Sequence, residues 1–182
     1  MLVKIMDELD VFFNPKSIAI IGASESLKFG HSMTSYLLNS QFKTFPVNIS
    51  KEEIFGHKAY SNIKDINEHV DLAIIIVRND FVLDAIKNCV EKGVKGIIIE
   101  SAGFSETRNE NFIELQQEIE RLAQKNEVRI VGPNCVGITN FRNKFTSTEI
   151  DFDEVPEGGK ISVIAQSGVL GNIFVDWGAS QN

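Results

Sequence analysis

Four short apolar runs, each followed by glycine or small polar residues, constrain the fold of this chain more than any other feature. They lie at residues 17–21, 71–77, 95–100 and 128–131. Runs of this length are too short for helices, and parallel strands buried on both faces are continuously apolar rather than alternating. Segments with helical spacing separate them, at residues 32–40, 80–92 and 109–126. This alternation predicts an α/β fold with a Rossmann-like, doubly wound parallel sheet.

The first run leads into a loop that suits an anionic ligand. Ligands of open α/β sheets bind outside the carboxyl ends of the strands, and the helix after the loop would point its N-terminus at a negative charge. The candidate binding segment is therefore the loop from Gly22 to Gly30. The next glycine is Gly30, so the spacing is not G-x-G-x-x-G, and the loop by itself also fits a plain structural turn.

Two further segments lie on either side of the first apolar run, its loop and the helix that follows. Residues 7–13 predict a short helical turn that ends before Pro15, and residues 44–48 predict a strand. Because proline cannot donate a hydrogen bond to a sheet, Pro46 favours either an edge strand or the start of a strand. This strand ends in Asn48 where a dinucleotide-binding fold usually has an acid that binds ribose. The residue type therefore disfavours an NAD-binding sensor.

A change of composition near residue 151 predicts a domain boundary. Residues 151–159 are acidic and rich in proline and glycine, which is typical of a linker. We therefore predict a first domain at 1–150, with 151–182 as a linker and the truncated start of a second domain. Residues 160–165 predict another buried strand, leading to a helix after Ser167 and Gly168. One strand and one helix cannot close a sheet, so we expect a longer polypeptide.

The net charge and the cysteine content disfavour some classes of binding partner. The formal net charge of -7 disfavours nucleic acid. Cys89 and Cys135 show neither a disulfide framework nor metal-ligand spacing, and the three histidines show no metal or catalytic spacing. We expect no metal site, no membrane span and a reducing cytoplasm.

Five ordered motifs make a resemblance specific. They are Ile18-Ala19-Ile20-Ile21-Gly22-Ala23-Ser24, Pro46-Val47-Asn48, Ser101-Ala102-Gly103-Phe104, Gly132-Pro133-Asn134-Cys135-Val136-Gly137 and Gln166-Ser167-Gly168-Val169-Leu170-Gly171. In order and spacing they resemble the NDP-forming acyl-CoA synthetases, which include ADP-forming acetyl-CoA synthetases and the succinyl-CoA synthetase alpha chain. The resemblance implies a CoA-binding domain followed by the first strand and helix of a flavodoxin-like domain.

The same resemblance implies an activity. Members of this family are acid–thiol ligases that convert acyl-CoA, ADP and phosphate to acid, CoA and ATP through a phosphohistidine. That histidine would lie beyond Asn182, so this chain alone is expected to be inactive, with no catalytic residue of its own. The complete enzyme would also use ADP or ATP with Mg, on further ligase domains or on a beta subunit with an ATP-grasp domain. Homo-oligomers and hetero-oligomers both remain open.

The resemblance also implies site residues. In the first loop, the CoA contacts it implies are Gly22, Ala23, Ser24, Glu25, Ser26 and Leu27. The further CoA contacts it implies are Asn48, Lys51, Val77, Arg78, Glu100, Ser101, Ala102, Gly103, Pro133, Asn134 and Cys135. Asn134 and Cys135 would lie near the thioester. Ser167 and Gly168 would begin a helix that faces the phosphohistidine, and Asn172 would be a substrate contact.

Some residues depart from the family pattern or have simpler interpretations. Ile49 and Arg78 each replace a usual proline. Arg78 fits a stack on adenine, a phosphate contact or a solvated helix start. Lys51 fits a solvated surface residue as well as a ligand, and Cys135 suits a packing role. The alternative functions are a CoA-binding regulatory module, alone or in a protein acyltransferase, and the NAD sensor. Acyl specificity and the choice between ADP and GDP are left open.

Overall fold

The computed structural model describes residues 8–150 and 158–181. Residues 8–10 are helical and run into a turn before Pro15. In chain order the elements that follow are β1 (Ser17–Ile21), α1 (His31–Asn39), β2 (Lys43–Val47), β3 (Glu53–Ile54), β4 (His57–Lys58), β5 (Leu72–Ile75), α2 (Asn79–Lys92), β6 (Gly96–Ile99), α3 (Glu110–Lys125), β7 (Arg129–Val131), β8 (Thr139–Asn140), β9 (Phe145–Thr146) and α4 (Gly168–Ala179). Two 3-10 turns lie at Ile63–Asp65 and Ser105–Thr107.

Five strands form one parallel sheet in the order β2-β1-β5-β6-β7. Each neighbouring pair in this sheet is parallel. The chain first moves outward from β1 to β2 and then returns past β1 to β5, so the direction of winding reverses between β1 and β5. Ligands of open α/β sheets bind at such a switch point. The doubly wound α/β fold is therefore confirmed, with β2 at the edge, one of the two positions that Pro46 favours.

The core lies on both faces of this sheet. Alternate residues of β1 point to opposite faces, so Ala19 joins one buried cluster and Ile18 the other. Helices α2 and α3 cover the first cluster with Ile86 and Ile119, while α1 covers the second with Met33. Strands β1, β5 and β6 are buried along their whole length. Three layers thus hold the carboxyl ends of the central strands in fixed positions.

The burial of strand β7 differs from the sequence prediction. The sequence predicts a fourth buried strand, but Arg129 is exposed while Ile130 and Val131 are half-buried. The reason is topological, since among the described strands β7 lies at the edge of the sheet and has no neighbour on its outer side. Arg129 forms an ion pair at 2.6 Å with Glu8, which belongs to the helical turn before β1. The predicted turn at 7–13 therefore packs at this edge, with Asp7 outside the described residues.

The C-terminal segment corrects another prediction. Residues 161–165 form no strand and are exposed, although their sequence predicts a buried one. Within residues 8–150 and 158–181, no strand lies beside them to supply hydrogen bonds, and no layer covers their side chains. The helix predicted after Ser167 is present as α4. Residues 151–157 of the predicted linker at 151–159 lie outside the described residues, and the domain boundary stays a prediction.

No helix within residues 8–150 and 158–181 is both long and apolar enough to cross a membrane.

Candidate functional site at the carboxyl edge of the sheet

Gly22 begins the loop after β1 at a position that admits no side chain. Its φ is +96°, and a Cβ atom there would lie 2.8 Å from the carbonyl oxygen of Ile76. The Gly22 amide donates to the carbonyl oxygen of Val47 at 2.9 Å, so this N–H group is hydrogen-bonded within the sheet. Glycine is therefore required here for close packing of the loop against the end of β5.

The rest of the loop keeps several amides available. Ser26 donates its amide to Oγ of Ser24 at 3.1 Å, and Lys28 donates to the carbonyl oxygen of Ser26 at 2.7 Å. Among the described residues no acceptor pairs with the amides of Ala23, Ser24, Glu25 and Leu27. The Glu25 carboxylate accepts the Phe55 amide at 2.8 Å and so fixes the loop to the β3–β4 hairpin. The loop is held from outside, and its unpaired amides belong to the buried Ala23, the half-buried Ser24 and the exposed Glu25 and Leu27.

Asn48 joins the end of β2 to this loop. Its side-chain amide donates to the carbonyl oxygen of Ala23 at 2.8 Å, and its side-chain oxygen accepts the Ser50 amide at 2.8 Å. Asn48 also lines a cleft of about 310 Å³ with Gly22, Val77 and Phe81. This volume lies at the lower end of the range for small-molecule sites. The small cleft is thus built from the ends of β1, β2 and β5.

Arg78 and Lys51 lie at the surface. The Arg78 guanidinium pairs with Asp80 at 2.6 Å and lies 5.2 Å from the ring centroid of Phe81, which lines the small cleft. Lys51 is exposed and lines neither of the clefts described here. The structure therefore brings Phe81 to the small cleft, with the Arg78 guanidinium over its ring, whereas Lys51 does not line this cleft.

The loops after β5, β6 and β7 are bonded to one another. Oγ of Ser101 donates to the carbonyl oxygen of Val77 at 2.5 Å, and the Asn134 amide donates to the carbonyl oxygen of Ser101 at 2.9 Å. The side-chain amide of Asn79 donates to the carbonyl oxygen of Gly103 at 2.7 Å. These bonds fix the predicted residues 100–103 and 133–135 at one edge of the sheet. Ala102 and Asn134 are exposed there, while Pro133 is half-buried.

Glu100 is a buried carboxyl group at the end of β6. It is 5% exposed, and neither carboxyl oxygen has a hydrogen-bond partner among the described residues. Burial first, and then the negative charge of Glu149, raise the pKa of Glu100 well above its usual range. Glu149 itself accepts the Gly30 amide at 2.7 Å, at the start of α1. Two acidic side chains therefore meet beside the loop that follows β1.

Cys135 lies next to this carboxyl pair. Its thiol contacts the carbonyl oxygen of Ile99 at 3.4 Å, and burial raises the pKa of Cys135 to about 11. The thiol is therefore protonated near neutral pH and is a poor nucleophile. This state agrees with the predicted packing role.

A larger cleft of about 1720 Å³ connects these loops with the C-terminal segment. Its lining includes Glu100, Ser101, Ala102, Asn134, Cys135, Ser167, Gly168 and Asn172. A Cβ atom at Gly168 would lie 2.4 Å from Cγ1 of Val136, so the start of α4 packs directly on the loop after β7. The structure thus brings Ser167, Gly168 and Asn172 to the same cleft as the residues after β6. Val77 lines both clefts.

Sequence reasoning missed Glu149 and Phe81. Glu149 is separated from Gly30 by 119 residues, and no local sequence pattern predicts the contact between them. Phe81 follows Arg78 by three residues on α2, so its position could have been inferred from helical spacing. Within the described residues, no group of three or more His, Cys, Asp and Glu side chains could hold a metal ion.

Fold and site together define the class. A parallel sheet with a glycine turn after β1, and with clefts at the point where its winding reverses, is typical of Rossmann-like nucleotide-binding domains. Sequence comparison then gives the family. The model of the CoA binding domain matches residues 16–140, and the chain belongs to this family.

Named relatives extend the comparison. The chain is 46% identical over 165 residues to the alpha subunit of acetate–CoA ligase [ADP-forming] II of Pyrococcus furiosus, covering 90% of this chain and 35% of that protein. It is 40% identical to the acetate–CoA ligase [ADP-forming] of Methanocaldococcus jannaschii, covering 93% of this chain and 23% of that protein. The chain therefore spans about a third or less of the length of these relatives.

Solved structures agree on the fold. A Pyrococcus horikoshii protein superposes with a TM-score of 0.86 at 43% identity, covering 95% of this chain and 39% of that protein. The dinucleotide-forming acetyl-coenzyme A synthetase 1 of Candidatus Korarchaeum cryptofilum, in complex with phosphate and ADP, gives 0.79 at 31% identity. That match covers 94% of this chain and 37% of the synthetase chain.

Proposed function

We propose that this chain binds CoA and acts as the CoA-binding part of an ADP-forming acyl-CoA synthetase. The observation that carries the proposal is that the loop after β1 leaves amides unpaired beside two clefts that share Val77. A ligand with a nucleotide at one end and a reactive arm at the other suits this arrangement. The phosphates would take the free amides, because N–H groups of a glycine turn bind anions.

The two clefts divide the ligand between them. The small cleft beside Phe81 and Asn48 would hold the nucleoside, since an aromatic wall and polar edges are what a base needs. The arm would then pass Val77 toward Ser101, Asn134 and Cys135. Glu100 to Gly103 and Pro133 would contact the arm along this path. Lys51 would act on a phosphate only through its charge, because it lies outside both clefts.

The reaction belongs to the complete protein. Phosphate attacks the acyl group of acyl-CoA, so that a carbon–sulfur bond breaks and an acyl phosphate forms with free CoA. A histidine outside this chain then takes the phosphoryl group, which releases the acid, and passes it to ADP. Ser167 and Gly168 begin α4 at the large cleft, where free N–H groups and the helix dipole favour a phosphate. The remaining ligase domains, or a beta subunit, would supply ADP and Mg sites.

Calorimetric titration of the purified chain with CoA and with NAD tests the proposal. We expect CoA to bind and NAD to leave no heat of binding, since the side chain of Asn48 is already bonded to Ala23 and Ser50. At about a hundred times its dissociation constant, CoA should stabilise the fold by roughly 2.7 kcal/mol in thermal unfolding. Stabilisation by NAD without any by CoA would refute the CoA assignment.

A further inference from the structure

The large cleft differs in charge from the rest of the chain. Three cationic residues line it, and all three are exposed: Lys28, Arg142 and Lys160. Among the described residues of this lining Glu100 is the only acid, and both of its carboxyl oxygens are buried. The whole chain has 25 Asp and Glu residues against 18 Lys and Arg residues. The accessible charges of the cleft are therefore positive, although the formal net charge of the chain is -7.

Folding brings the three cations to one cleft from distant parts of the sequence. Lys28 lies in the loop after β1, Arg142 in the turn between β8 and β9, and Lys160 in the segment before α4. In the described part of the chain none of them forms an ion pair, whereas Arg78 pairs with Asp80 at 2.6 Å. Cations gathered in this way raise the electrostatic potential of the cleft, because no ion-pair partner neutralises them.

The turn that carries Arg142 is fixed to the N-terminal part of the chain. The side-chain amides of Asn140 and Asn143 both donate to the carbonyl oxygen of Phe13 at 2.9 Å. The Arg142 amide donates to Oδ1 of Asn140 at 3.2 Å. Among the described residues the guanidinium itself has no hydrogen-bond partner. Its charge is therefore available on an anchored backbone.

Two carboxylates lie near Lys28, and each already accepts an amide. Glu25 accepts the Phe55 amide at 2.8 Å, and Glu149 accepts the Gly30 amide at 2.7 Å. Neither carboxylate belongs to the lining of the large cleft. Their charges oppose that of Lys28, so the cations on the other walls of the cleft should contribute more.

We propose that Lys28, Arg142 and Lys160 make the large cleft a positively charged entrance, which attracts a phosphate-bearing polyanion and leads it to the loop after β1. The inference rests on the proposed binding of CoA, whose phosphates would take the free amides of that loop. A cleft lined by one sign of charge concentrates ligands of the opposite sign and raises association rates by about 10–10³-fold. Salt screens this attraction, since the Debye length is about 10 Å at 0.1 M and about 3 Å at 1 M ionic strength.

The experiment measures the affinity for CoA and for dephospho-CoA by calorimetry at these two ionic strengths. Arg142→Glu and Lys160→Glu each reverse one charge, on two different walls of the cleft. At the lower ionic strength each variant should raise the dissociation constant of CoA about tenfold. For dephospho-CoA, which has about half the charge, the increase should be about threefold, because Coulomb energy is proportional to charge. At the higher ionic strength both losses should fall below about twofold.

Lys95→Glu is the matched control. Lys95 is exposed and directly precedes β6, so it lies at the amino edge of the sheet, whereas the cleft lies at the carboxyl edge. At about 3.3 Å per residue, β6 separates the two edges by about 13 Å, which exceeds the Debye length at the lower ionic strength. The control changes the net charge by the same amount as the cleft variants and should bind CoA like wild type.

Each result decides a separate point. Equal losses in Lys95→Glu and in the cleft variants would overturn the entrance, because net charge alone would then explain them. Losses that persist at high salt would also overturn it, since they indicate direct contact and not attraction over a distance.

Unchanged affinity in cleft variants that circular dichroism shows to be folded would overturn the entrance while leaving CoA binding intact. The two cleft variants lie on separate segments, so either one alone is a sufficient test if the other fails to fold. A folded wild-type chain that binds no CoA at either ionic strength would overturn both this inference and the proposed function.

Discussion

Residues 8–150 and residues 158–181 contain similar apolar stretches, yet the two regions differ in how those stretches are covered. Ile18, Ile74 and Ile98 are fully buried in the sheet, whereas Ile164 is fully exposed and Ile161 is 80% exposed. Helix α4 has no buried residue, and Trp177 on it is 59% exposed. The difference teaches that an apolar run becomes a strand only when neighbouring strands and a covering layer are present. Apolar surface of this extent is typical of an interface that another part of the polypeptide covers.

The largest effect is expected in amide hydrogen exchange. Amides of β1 should open only with global unfolding, which costs about 5–15 kcal/mol in a domain of this size. Amides of residues 161–165 have no strand partner in the described part of the chain and should exchange close to the unprotected rate. Mass spectrometry of peptides from the two regions measures both rates in one sample.

The same measurement on a longer polypeptide sharpens the comparison. If residues that follow in the relatives complete a second sheet, residues 161–165 should become protected there while β1 changes little. Slow exchange of residues 161–165 in the present chain would contradict the exposed arrangement. Fast exchange in the longer polypeptide would contradict the proposal that the segment begins a second domain.

The second-largest effect is the difference in folding stability between a variant at a buried isoleucine and one at an exposed isoleucine. Ile98→Ala removes a fully buried side chain from β6 and should destabilise the fold by about 2–5 kcal/mol. Ile164→Ala makes the same chemical change at a fully exposed position and should stay within about 0.5 kcal/mol of wild type. Urea unfolding of the two variants measures the difference. Equal losses would mean that Ile164 is covered in solution.

The two regions also differ in how well the sequence predicts them. The strands β1, β5 and β6 were predictable because a continuous apolar run with a glycine stop is a local signal, and their neighbours lie within the same region. The run at 161–165 gives the same signal, and the prediction was wrong because its pairing depends on strands that the described residues do not supply. The prediction that β7 is a buried strand was wrong in part for the same reason, since among the described strands one of its sides has no neighbouring strand.

The site shows a similar division. The Gly22 turn was predictable from sequence, because glycine at the end of a buried strand is typical of a tight turn. The Glu100–Glu149 pair was not, because it joins residues brought together by folding alone. Resemblance to the family pointed to Glu100 as a ligand contact but gave no reason for its protonation state. The roles of the remaining contact residues stay predictions until ligand binding is measured.

The smallest effect compares one glycine from each region. Gly22 has φ +96° and meets backbone, since a Cβ atom would lie 2.8 Å from the carbonyl oxygen of Ile76. Gly171 lies within α4, and a Cβ atom there would have no atom within 4 Å. Gly22→Ala should destabilise the fold by about 1–3 kcal/mol, because alanine is strained at positive φ and the backbone must shift. Gly171→Ala should instead raise helix stability by up to ~1 kcal/mol, because glycine is a poor helix former.

Urea unfolding followed by circular dichroism gives both values, and calorimetry with CoA supplies the second readout. Because Gly22 supports the loop, Gly22→Ala should weaken CoA binding as well, whereas Gly171 lines the large cleft and its variant is compared for stability alone. Unchanged stability and unchanged CoA affinity in Gly22→Ala would show that the loop after β1 is less rigid than its contacts with β5 indicate.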